Sequence, residues 1–440
     1  MTGAQGPVRL GASPPETPQA PFRGGPGIRV GVVGCARILP AHLRGIRALR
    51  SAGLNPPRIT ALCARSIEDA ARFRRRGEGP APRPPVSHNE ADPLGAPHLY
   101  VSDVQPEPPP ELFDDWRRLV ESDLVDAVLV LAPVALHHQV ALAALSAGKH
   151  VLIEKPFAIT VRAGRAIADE AERRGLVAGV AENQRYAART RALRFIVGQG
   201  LIGRPQLWLS GGAGGEWAPD RIVAGTPWRH RKLEAGGGPT IDVGVHLMHE
   251  LRMVMGPLDE VSGLVETMEP ERVERGANGT PQVRVTSEVE DLFLAQLSFA
   301  SGAVGSVFVT WSGRGEGAGL EASPIVYGTR GCIKGQDVIR GDGFRGTASD
   351  VFERGESADR KERWFPSGVR DSFGLELLDF CRTIEQGAAM EASAQEGVID
   401  LAMAYAVLES ADRGRPVRVD QVLSGAEDRF QAEIDAHYRI

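Results

Sequence analysis

The sequence predicts an α/β protein that has a doubly wound parallel sheet followed by an α+β domain with an open, mainly antiparallel sheet. Up to about residue 182, short β-branched apolar runs alternate with helical patterns, as in βαβ units. After about residue 200, strand-like runs with period-two alternation follow one another through Gly-rich turns. The chain has 440 residues, which favours two domains over one core.

The N-terminal strands are predicted from β-branched apolar runs, and the helices between them from apolar periodicity. Ser66 is the predicted N-cap of the second helix, and Gly148 ends the fourth. The strands are predicted at 28–33, 59–63, 99–101, 127–131, 150–153 and 176–181, and the helices at 42–51, 66–74, 114–122, 136–147 and 161–174.

Two further segments set the domain organisation. Residues 1–27 are rich in Pro and Gly, which predicts a disordered tail. Residues of about 77–110 contain many prolines, which predicts a long surface insertion around the third strand. The parallel-sheet domain is predicted at 28–182 and the second domain at 183–440. In the second domain, strands are predicted at 292–299, 304–310 and 325–327, and helices at 373–386 and 396–412.

The composition excludes several classes of protein. Hydrophobic residues make up 42% and charged residues 24% of the chain, which is typical of globular proteins, and the net charge of −5 argues against a nucleic-acid partner. No apolar run reaches the roughly 18 residues that a membrane span needs. The four cysteines form no CxxC pair, which predicts reduced core thiols in a cytoplasmic protein and no metal site.

The first strand leads into Gly34-Cys35-Ala36-Arg37-Ile38-Leu39, a degraded form of the GxGxxG loop that brings a pyrophosphate close to backbone amides at a helix start. The second strand ends at Arg65 and Ser66, where an NAD-binding sheet usually has an acidic residue. Arginine can pair with a 2′-phosphate, so the cofactor is NADP or NAD with NADP slightly preferred. Stacking of Arg65 on adenine, or exposure to solvent, is the alternative.

Lys155 is the strongest local signal for catalysis. It directly follows the strand at 150–153 and precedes Pro156, which keeps it extended at the carboxyl edge of the sheet. It is one of five lysines among 51 basic residues, and an ammonium can stabilise a developing alkoxide. His137, after the preceding strand, either lines the same crevice or caps a helix.

A second group of candidate catalytic residues follows three consecutive glycines. Asp242 and His246 are four residues apart, which predicts that they share one helical face and can act in acid–base chemistry. His249 lies nearby, but no third ligand completes a metal site with His246.

Taken together, these residues resemble the Gfo/Idh/MocA oxidoreductase family from about 28 to 419. The most specific stretch is 126–156, which reads DAVLVLAPVALHHQVALAALSAGKHVLIEKP. Glu182-Asn183, Trp228-Arg229 and the segment 393–419 also fit. The resemblance implies a Rossmann domain, a substrate-binding and oligomerisation domain, and a homodimer or homotetramer.

The resemblance also implies roles for individual residues. Lys155, Asp242 and His246 match the catalytic set, with His246 as the proton acceptor. Trp228 and Arg229 match a substrate-side segment. The cofactor-binding positions are matched by Gly34, Ala36, Arg37, Ile38, Arg65, Ser66, Pro133, His137, Glu154, Lys155 and Asn183.

Three features depart from the family pattern. Ala132 replaces the usual Thr or Ser, and Val134 replaces the usual Asn. The insertion at 77–110 is longer than typical and is expected to cover the cofactor or to form an interface.

The expected function is hydride transfer between a nicotinamide cofactor and a hydroxyl or carbonyl carbon of a sugar, polyol or sugar derivative. Two alternatives stay open at the sequence level. One is an NAD-dependent glycosidase that uses transient oxidation and elimination. The other is a non-catalytic sensor that binds a dinucleotide, and the retained Lys155, Asp242 and His246 argue against it.

Overall fold

The computed structural model describes residues 27–87, 89, 92–214, 226–275 and 278–440. The predicted disordered tail therefore lies outside the described residues, except for Gly27. In the first domain the described strands form one parallel sheet with the order β3-β2-β1-β4-β5-β6. These strands are β1 Arg29–Val33, β2 Arg58–Cys63, β3 Glu111–Phe113, β4 Ala127–Val130, β5 His150–Glu154 and β6 Ala178–Ala181. The doubly wound arrangement is confirmed.

Helices connect these strands, as the periodicity predicts. Ser66 Oγ accepts a hydrogen bond from the Asp69 amide, so the predicted N-cap is confirmed. Thr160 caps the fifth helix in the same way through the Ala163 amide. The helices are α1 Leu39–Ser51, α2 Ile67–Ala71, α3 Trp116–Glu121, α4 Val134–Ser146 and α5 Val161–Arg174.

The predicted third strand at 99–101 is wrong. Leu99 and Val101 are buried, which explains the apolar signal, but Val101–Asp103 forms a 3₁₀ turn. The third strand is instead Glu111–Phe113, which pairs with residues 61–63. Burial of side chains from an irregular segment cannot be distinguished by composition from burial of a strand.

The insertion is more than surface structure. The buried Gln105 side chain donates to the Ile59 carbonyl at 2.9 Å and accepts from the Ile59 amide at 3.0 Å. It thus satisfies the backbone of β2 at a residue that β3 does not reach.

The second domain contains a large mixed sheet with the order β17-β16-β15-β14-β7-β12-β11-β8-β18, and β13 also pairs with β7. Only the pair of β7 and β12 is parallel among the described strands of this sheet, so the mainly antiparallel prediction is confirmed. Two further strands, β9 and β10, form a separate hairpin. The strands are β7 Pro205–Ala213, β8 Leu258–Glu266, β9 Glu271–Arg275, β10 Pro281–Thr286, β11 Leu292–Phe299, β12 Val304–Thr310, β13 Ala318–Gly319, β14 Ile325–Gly328, β15 Gly331–Lys334, β16 Asp337–Arg340, β17 Arg345–Thr347 and β18 Val417–Arg418.

Helices cover one face of this sheet and connect it to the first domain. The helices α8, α9 and α13 contact the sheet, α13 also contacts α5, and α12 packs against α1. The carboxyl edge of the parallel sheet therefore faces α8 and α9, where the candidate site lies. The helices are α6 Ala188–Gly198, α7 Lys232–Ala235, α8 Pro239–Asp242, α9 Gly244–Met255, α10 Ala348–Gly355, α11 Ala358–Trp364, α12 Ser372–Gln386, α13 Ala394–Arg413, α14 Val419–Ser424 and α15 Ala432–Tyr438.

Candidate active site

The loop after β1 has the geometry that a pyrophosphate requires. Gly34 has a φ of 109°, and a Cβ there would lie 2.5 Å from the Ala132 amide nitrogen, so a side chain does not fit. Ala36 and Ile38 complete the turn, and no described side chain caps the start of α1. A helix N-terminus with uncapped amides suits an anionic ligand. The residues present therefore fit a dinucleotide phosphate.

The insertion contributes a cation near this loop. Arg83 forms an ion pair of 2.9 Å with Asp69 on α2, the helix that Ser66 caps. Arg37 is exposed, and partial loss of water together with the positive charges of Arg229 and Arg83 lowers its pKa. Arg65 is also exposed at the end of β2. The adenosine end of the predicted cofactor site is thus rich in arginine.

His137 joins two loops at the carboxyl edge of the sheet. It is buried, and its Nδ1 and Nε2 each lie 2.8 Å from a carbonyl oxygen, those of Pro156 and Ala132 respectively. Pro133 stands at the N-cap of α4 in the second of these loops. The structure shows a buried His137 side chain that holds the two loops, which differs from both interpretations of the sequence, a residue lining the crevice and a helix cap.

Lys155 and Asp242 meet across the domain interface. Lys155 Nζ donates to the Asp242 carbonyl at 2.8 Å and lies 3.4 Å from Asp242 Oδ1. Arg229 Nε donates to the other carboxylate oxygen, Oδ2, at 3.0 Å. The Arg229 guanidinium also stacks on the ring of Trp228, at 4.3 Å from its centroid. Four of the predicted site residues are thus in one cluster.

Burial by itself would raise the pKa of Asp242, but the positive charges of Arg229 and Lys155 hold it well below the usual range. Asp242 is therefore ionised at neutral pH, and its charge keeps both cations in place. The result is a fixed set of donors and an acceptor beside the carboxyl end of β5.

Glu290 fixes the position of Asp242. Its Oε1 accepts hydrogen bonds from the amides of Gly238 and Thr240 at 2.9 and 3.1 Å, which caps the short helix that ends at Asp242. A Cβ on Gly238 would overlap the Glu290 carbonyl oxygen, which explains one of the three glycines.

Asp242 and His246 do not share one continuous helix. Asp242 ends α8, and His246 lies in the first turn of α9, with Val243 between the two helices. The two side chains nevertheless reach neighbouring positions on the sheet edge. Lys155 and Glu182 each follow by one residue the paired strand residues Glu154 and Ala181.

His246 pairs with a buried carboxylate. Its Nδ1 lies 2.7 Å from Glu182 Oε1, and the Glu182 side chain is almost completely buried. Burial alone would raise the pKa of Glu182, yet His246 and His249 nearby hold it below the usual range. The contact assigns Nδ1 as the hydrogen-bond donor and leaves Nε2 as the nitrogen that can accept a proton.

His249 does not face the same site as His246. It is fully buried, and its Nδ1 lies 2.7 Å from Asp400 Oδ2. No group of three or more His, Cys, Asp or Glu side chains in the described ranges is arranged to hold a metal ion.

Glu154 and Asn183 complete the predicted set. Glu154 Oε2 accepts from the Lys155 amide at 3.0 Å, and its Oε1 lies 3.1 Å from His42 Nε2. Asn183 Nδ2 lies 3.4 Å from Ser372 Oγ on α12. Both residues therefore stand where the parallel sheet meets the second domain.

The sequence predicts no role for Glu182 or His42. Glu182 follows β6 as Lys155 follows β5, so its position at a strand end was a usable signal. His42 lies inside α1, and nothing in the sequence distinguishes it from a core histidine.

The comparisons with known proteins bear on the family and the fold of both domains. Residues 28–182 match the model of the oxidoreductase family NAD-binding Rossmann fold, and residues 215–419 match the model of its C-terminal alpha/beta domain. No described helix has both the length and the apolar character needed to cross a membrane.

Two curated relatives and one solved structure illustrate the similarity. Levoglucosan dehydrogenase of Pseudarthrobacter phenanthrenivorans is 28% identical over 74% of this chain and 92% of its own length. The 1,5-anhydro-D-fructose reductase of Ensifer adhaerens is 30% identical over 69% and 83%, respectively. The crystal structure of an oxidoreductase domain protein from Kribbella flavida has a TM-score of 0.67 at 23% identity and covers 89% of this chain and 99% of its own. The two family models, which together span most of the chain, show that this protein belongs to the Gfo/Idh/MocA oxidoreductase family.

Proposed function

We propose that this oxidoreductase transfers a hydride between NAD(P) and a hydroxyl or carbonyl carbon of a sugar, polyol or sugar derivative, and that Lys155, Asp242 and His246 are its catalytic residues. The observation that carries the proposal is the pair of contacts Lys155–Asp242 and His246–Glu182 on adjacent strand ends. The names of the two curated relatives support a sugar-like substrate.

In the oxidative direction, Lys155 and Asp242 bind and orient the reacting hydroxyl. His246 Nε2 removes the hydroxyl proton, and Glu182 stabilises the resulting imidazolium through Nδ1. The ammonium of Lys155 stabilises negative charge that develops on the oxygen. A nicotinamide held at the carboxyl edge of the parallel sheet would supply the acceptor for the hydride that leaves the same carbon. Arg229 and Trp228 are the proposed substrate-side contacts, since they adjoin Asp242.

The residues that would hold the cofactor are those at the carboxyl edge of the parallel sheet. Gly34, Ala36, Arg37 and Ile38 would bind the diphosphate, and Arg65 and Ser66 would bind the adenosine ribose. Glu154, Lys155 and Asn183 would lie near the nicotinamide, with Pro133 and His137 behind them. The arginines at the adenosine end favour NADP, and the preference over NAD is part of the proposal.

Steady-state turnover of the variants Lys155→Met and His246→Asn tests the catalytic assignment on a panel of sugars and polyols with NAD⁺ and NADP⁺. Each variant should lose roughly 10²- to 10⁴-fold in kcat/KM, as expected for loss of one acid–base group. Lys149→Met and His437→Asn are matched controls, because Lys149 precedes β5 at the opposite edge of the sheet and His437 is exposed. Near-normal turnover of folded Lys155→Met or His246→Asn contradicts the assignment.

The cofactor preference is tested by titration of the protein with NADPH and NADH. Tight NADPH binding that Arg65→Asp abolishes, while Arg75→Asp does not, supports the 2′-phosphate site. Equal effects of the two substitutions would indicate a nonspecific charge effect. Release of free sugar from glycosides without accumulation of reduced cofactor would favour the glycosidase alternative.

The assembly proposed is a homodimer or homotetramer formed through the open face of the second sheet. Leu264, Leu294 and Phe308 lie side by side on β8, β11 and β12, and the two leucines are 52% and 45% exposed. Apolar residues in register on an uncovered sheet face are typical of an interface.

The domain boundary at 182/183 is part of the proposal. So is a cytoplasmic location, which the four free, buried cysteines support.

A further inference from the structure

Three buried carboxyl groups converge behind the candidate site, and they differ in their partners. Glu182 has His246 and the Gln184 amide as donors. Glu154 has the Lys155 amide and the His42 ring. Glu376, on α12, is completely buried, and neither of its oxygens has a hydrogen-bond partner among the described residues.

His42 connects two of these carboxyl groups. It lies on α1 and is completely buried, with its ring nearly perpendicular to that of Phe373 at 4.9 Å between centroids. Its Nε2 is 3.1 Å from Glu154 Oε1, and its Nδ1 is 3.8 Å from Glu376 Oε1. Nδ1 also has no hydrogen-bond partner in the described part of the chain. Two unsatisfied polar atoms therefore face each other in the interior, which is rare in folded proteins.

A proton on Glu376 gives both of these facing atoms a hydrogen-bond partner. Beside a neutral His42 ring, a Glu376 carboxylate would face the Nδ1 lone pair and repel it, and a buried carboxylate without donors or a cation is strongly unfavourable. A protonated Glu376 instead donates its O–H to Nδ1. Closing the 3.8 Å gap to hydrogen-bond distance requires a shift of less than about 1 Å. The tautomer of His42 then carries its hydrogen on Nε2, which donates to the Glu154 carboxylate.

The charges around Glu376 favour the same protonation state. Burial raises the pKa of Glu376 well above its usual range, and the negative charges of neighbouring carboxylates raise it further. These neighbours are Glu154, Glu182, Asp371 and Asp379.

We propose that Glu376 is a positioning residue that stays protonated at neutral pH and, through His42, holds the Glu154 side chain as a hydrogen-bond acceptor at the cofactor crevice. The chain of hydrogen bonds runs from α12 of the second domain through α1 to the end of β5. It couples the packing of the two domains to the orientation of a carboxylate directly beside Lys155. Its effect on cofactor affinity rests on the proposed function, whereas the protonation state of Glu376 does not.

Infrared difference spectroscopy of the protein without cofactor tests the protonation state. Wild type minus Glu376→Gln at pH 7 should show one protonated carboxyl band, and Cys381→Ala, a buried position on the same helix, should leave that band in place. The ¹⁵N shifts of His42, assigned with His42→Gln, should report hydrogen on Nε2 and none on Nδ1 in wild type and Glu376→Gln. Hydrogen on both ring nitrogens of the wild type would place the proton on His42 and overturn the proposal. Absence of the carboxyl band overturns the proposal.

Stability as a function of pH gives an independent readout. A carboxyl group with a raised pKa in the folded state contributes stability below its unfolded pKa of about 4.5, and this contribution is lost as the pH rises. The free energy of unfolding of Glu376→Gln should therefore equal that of the wild type near pH 4 and exceed it toward pH 8. A difference that does not change with pH contradicts a protonated Glu376.

Titration with NADH and NADPH then tests the positioning role. Glu376→Gln retains a donor toward Nδ1 and should keep the Kd within about 3-fold, whereas Glu376→Leu should weaken it roughly 5- to 150-fold, as for one unpaired buried group. Equal losses in both variants would overturn the positioning role. If wild type binds neither cofactor, the proposed function fails, while the infrared and pH results still decide the state of Glu376.

Discussion

At the scale of single residues, the site depends on how each buried charge is paired. Asp242 is ionised because two cations contact its two oxygens, and Glu182 because a histidine does. A cation or a hydrogen-bond donor in direct contact stabilises a buried carboxylate in a place that excludes most water. The same rule explains why Glu376, which has no such partner in the described residues, is expected to be neutral.

The role of Glu182 in supporting His246 can be measured directly. Glu182→Gln should lower kcat/KM by roughly 10- to 100-fold, a part of what one acid–base group contributes, because the imidazolium loses its anionic partner. The acidic limb of the pH profile for oxidation should move to lower pH. A change in KM alone, with an unchanged pH profile, would assign Glu182 to substrate binding.

Asp400 predicts how the protein responds to acid. Burial would raise its pKa, but His249 and Arg252 lower it to about 2. A carboxyl group with a depressed pKa contributes stability above its unfolded pKa of 3.8 and loses this contribution as the pH falls through about 2. Asp400→Asn should therefore lower the free energy of unfolding by at least about 2 kcal/mol at pH 7 and by clearly less near pH 2.

Chemical denaturation at the two pH values checks this prediction. Asp420→Asn serves as the control, since Asp420 is about half exposed and its ion pair with Arg418 should contribute less than about 1 kcal/mol. An equal loss of stability in Asp400→Asn at both pH values contradicts the ionic explanation.

At the scale of elements, the position of the site depends on a close crossing of two helices. A Cβ on Gly45 of α1 would lie 2.5 Å from the backbone nitrogen of Gly374 on α12. Because both positions are glycine, α12 approaches α1 closely enough to bring Glu376 near His42. The glycines act here through their lack of a side chain.

Gly45→Ala should therefore destabilise the protein by about 1–3 kcal/mol, the usual range for overpacking between rigid elements. Gly198→Ala is the matched control, because it lies in α6, where no described atom beyond the neighbouring backbone of its own helix comes within 4 Å of the added Cβ, and it should be neutral or slightly stabilising. Thermal or urea unfolding measures both. Equal stability of the two variants would mean that α1 and α12 can move apart with little loss in the free energy of unfolding.

At the scale of the whole molecule, the two faces of the second sheet have different environments. Along β11 the residues Phe293, Ala295 and Leu297 are buried under helices, while Leu294 between them is exposed. This period-two alternation is expected of a sheet covered on one face. The apolar residues on the other face are what the proposed oligomer would bury.

Leu294→Lys should shift the protein toward monomers, because it places a charge in the centre of the proposed interface. Leu124→Lys is a control on the first domain, where Leu124 is 37% exposed. Sedimentation velocity at several concentrations measures the assembly. Dissociation in Leu294→Lys alone supports the interface, and an unchanged mass distribution in Leu294→Lys excludes this face.

The parts of the fold that the sequence predicted are those that local patterns encode. Buried runs such as 127–131 and the N-cap at Ser66 depend on neighbours within a few residues, so their signals are readable directly. The strand at 111–113 is short and follows a Pro-rich segment, so its pairing with β2 left no comparable pattern. Lys155 stood out because a strand end and a following proline fix its direction.

The sequence by itself therefore determined the doubly wound sheet, the family and the strand ends at which chemistry is expected. Only the tertiary structure decided that His137 holds two loops, that His249 turns to Asp400 and that Glu182 supports His246. It also brought Glu376 to His42, more than 300 residues away in the chain. Strand ends follow from short-range propensity, whereas the partner of a buried charge depends on how distant elements pack, and one sequence carries no local record of that.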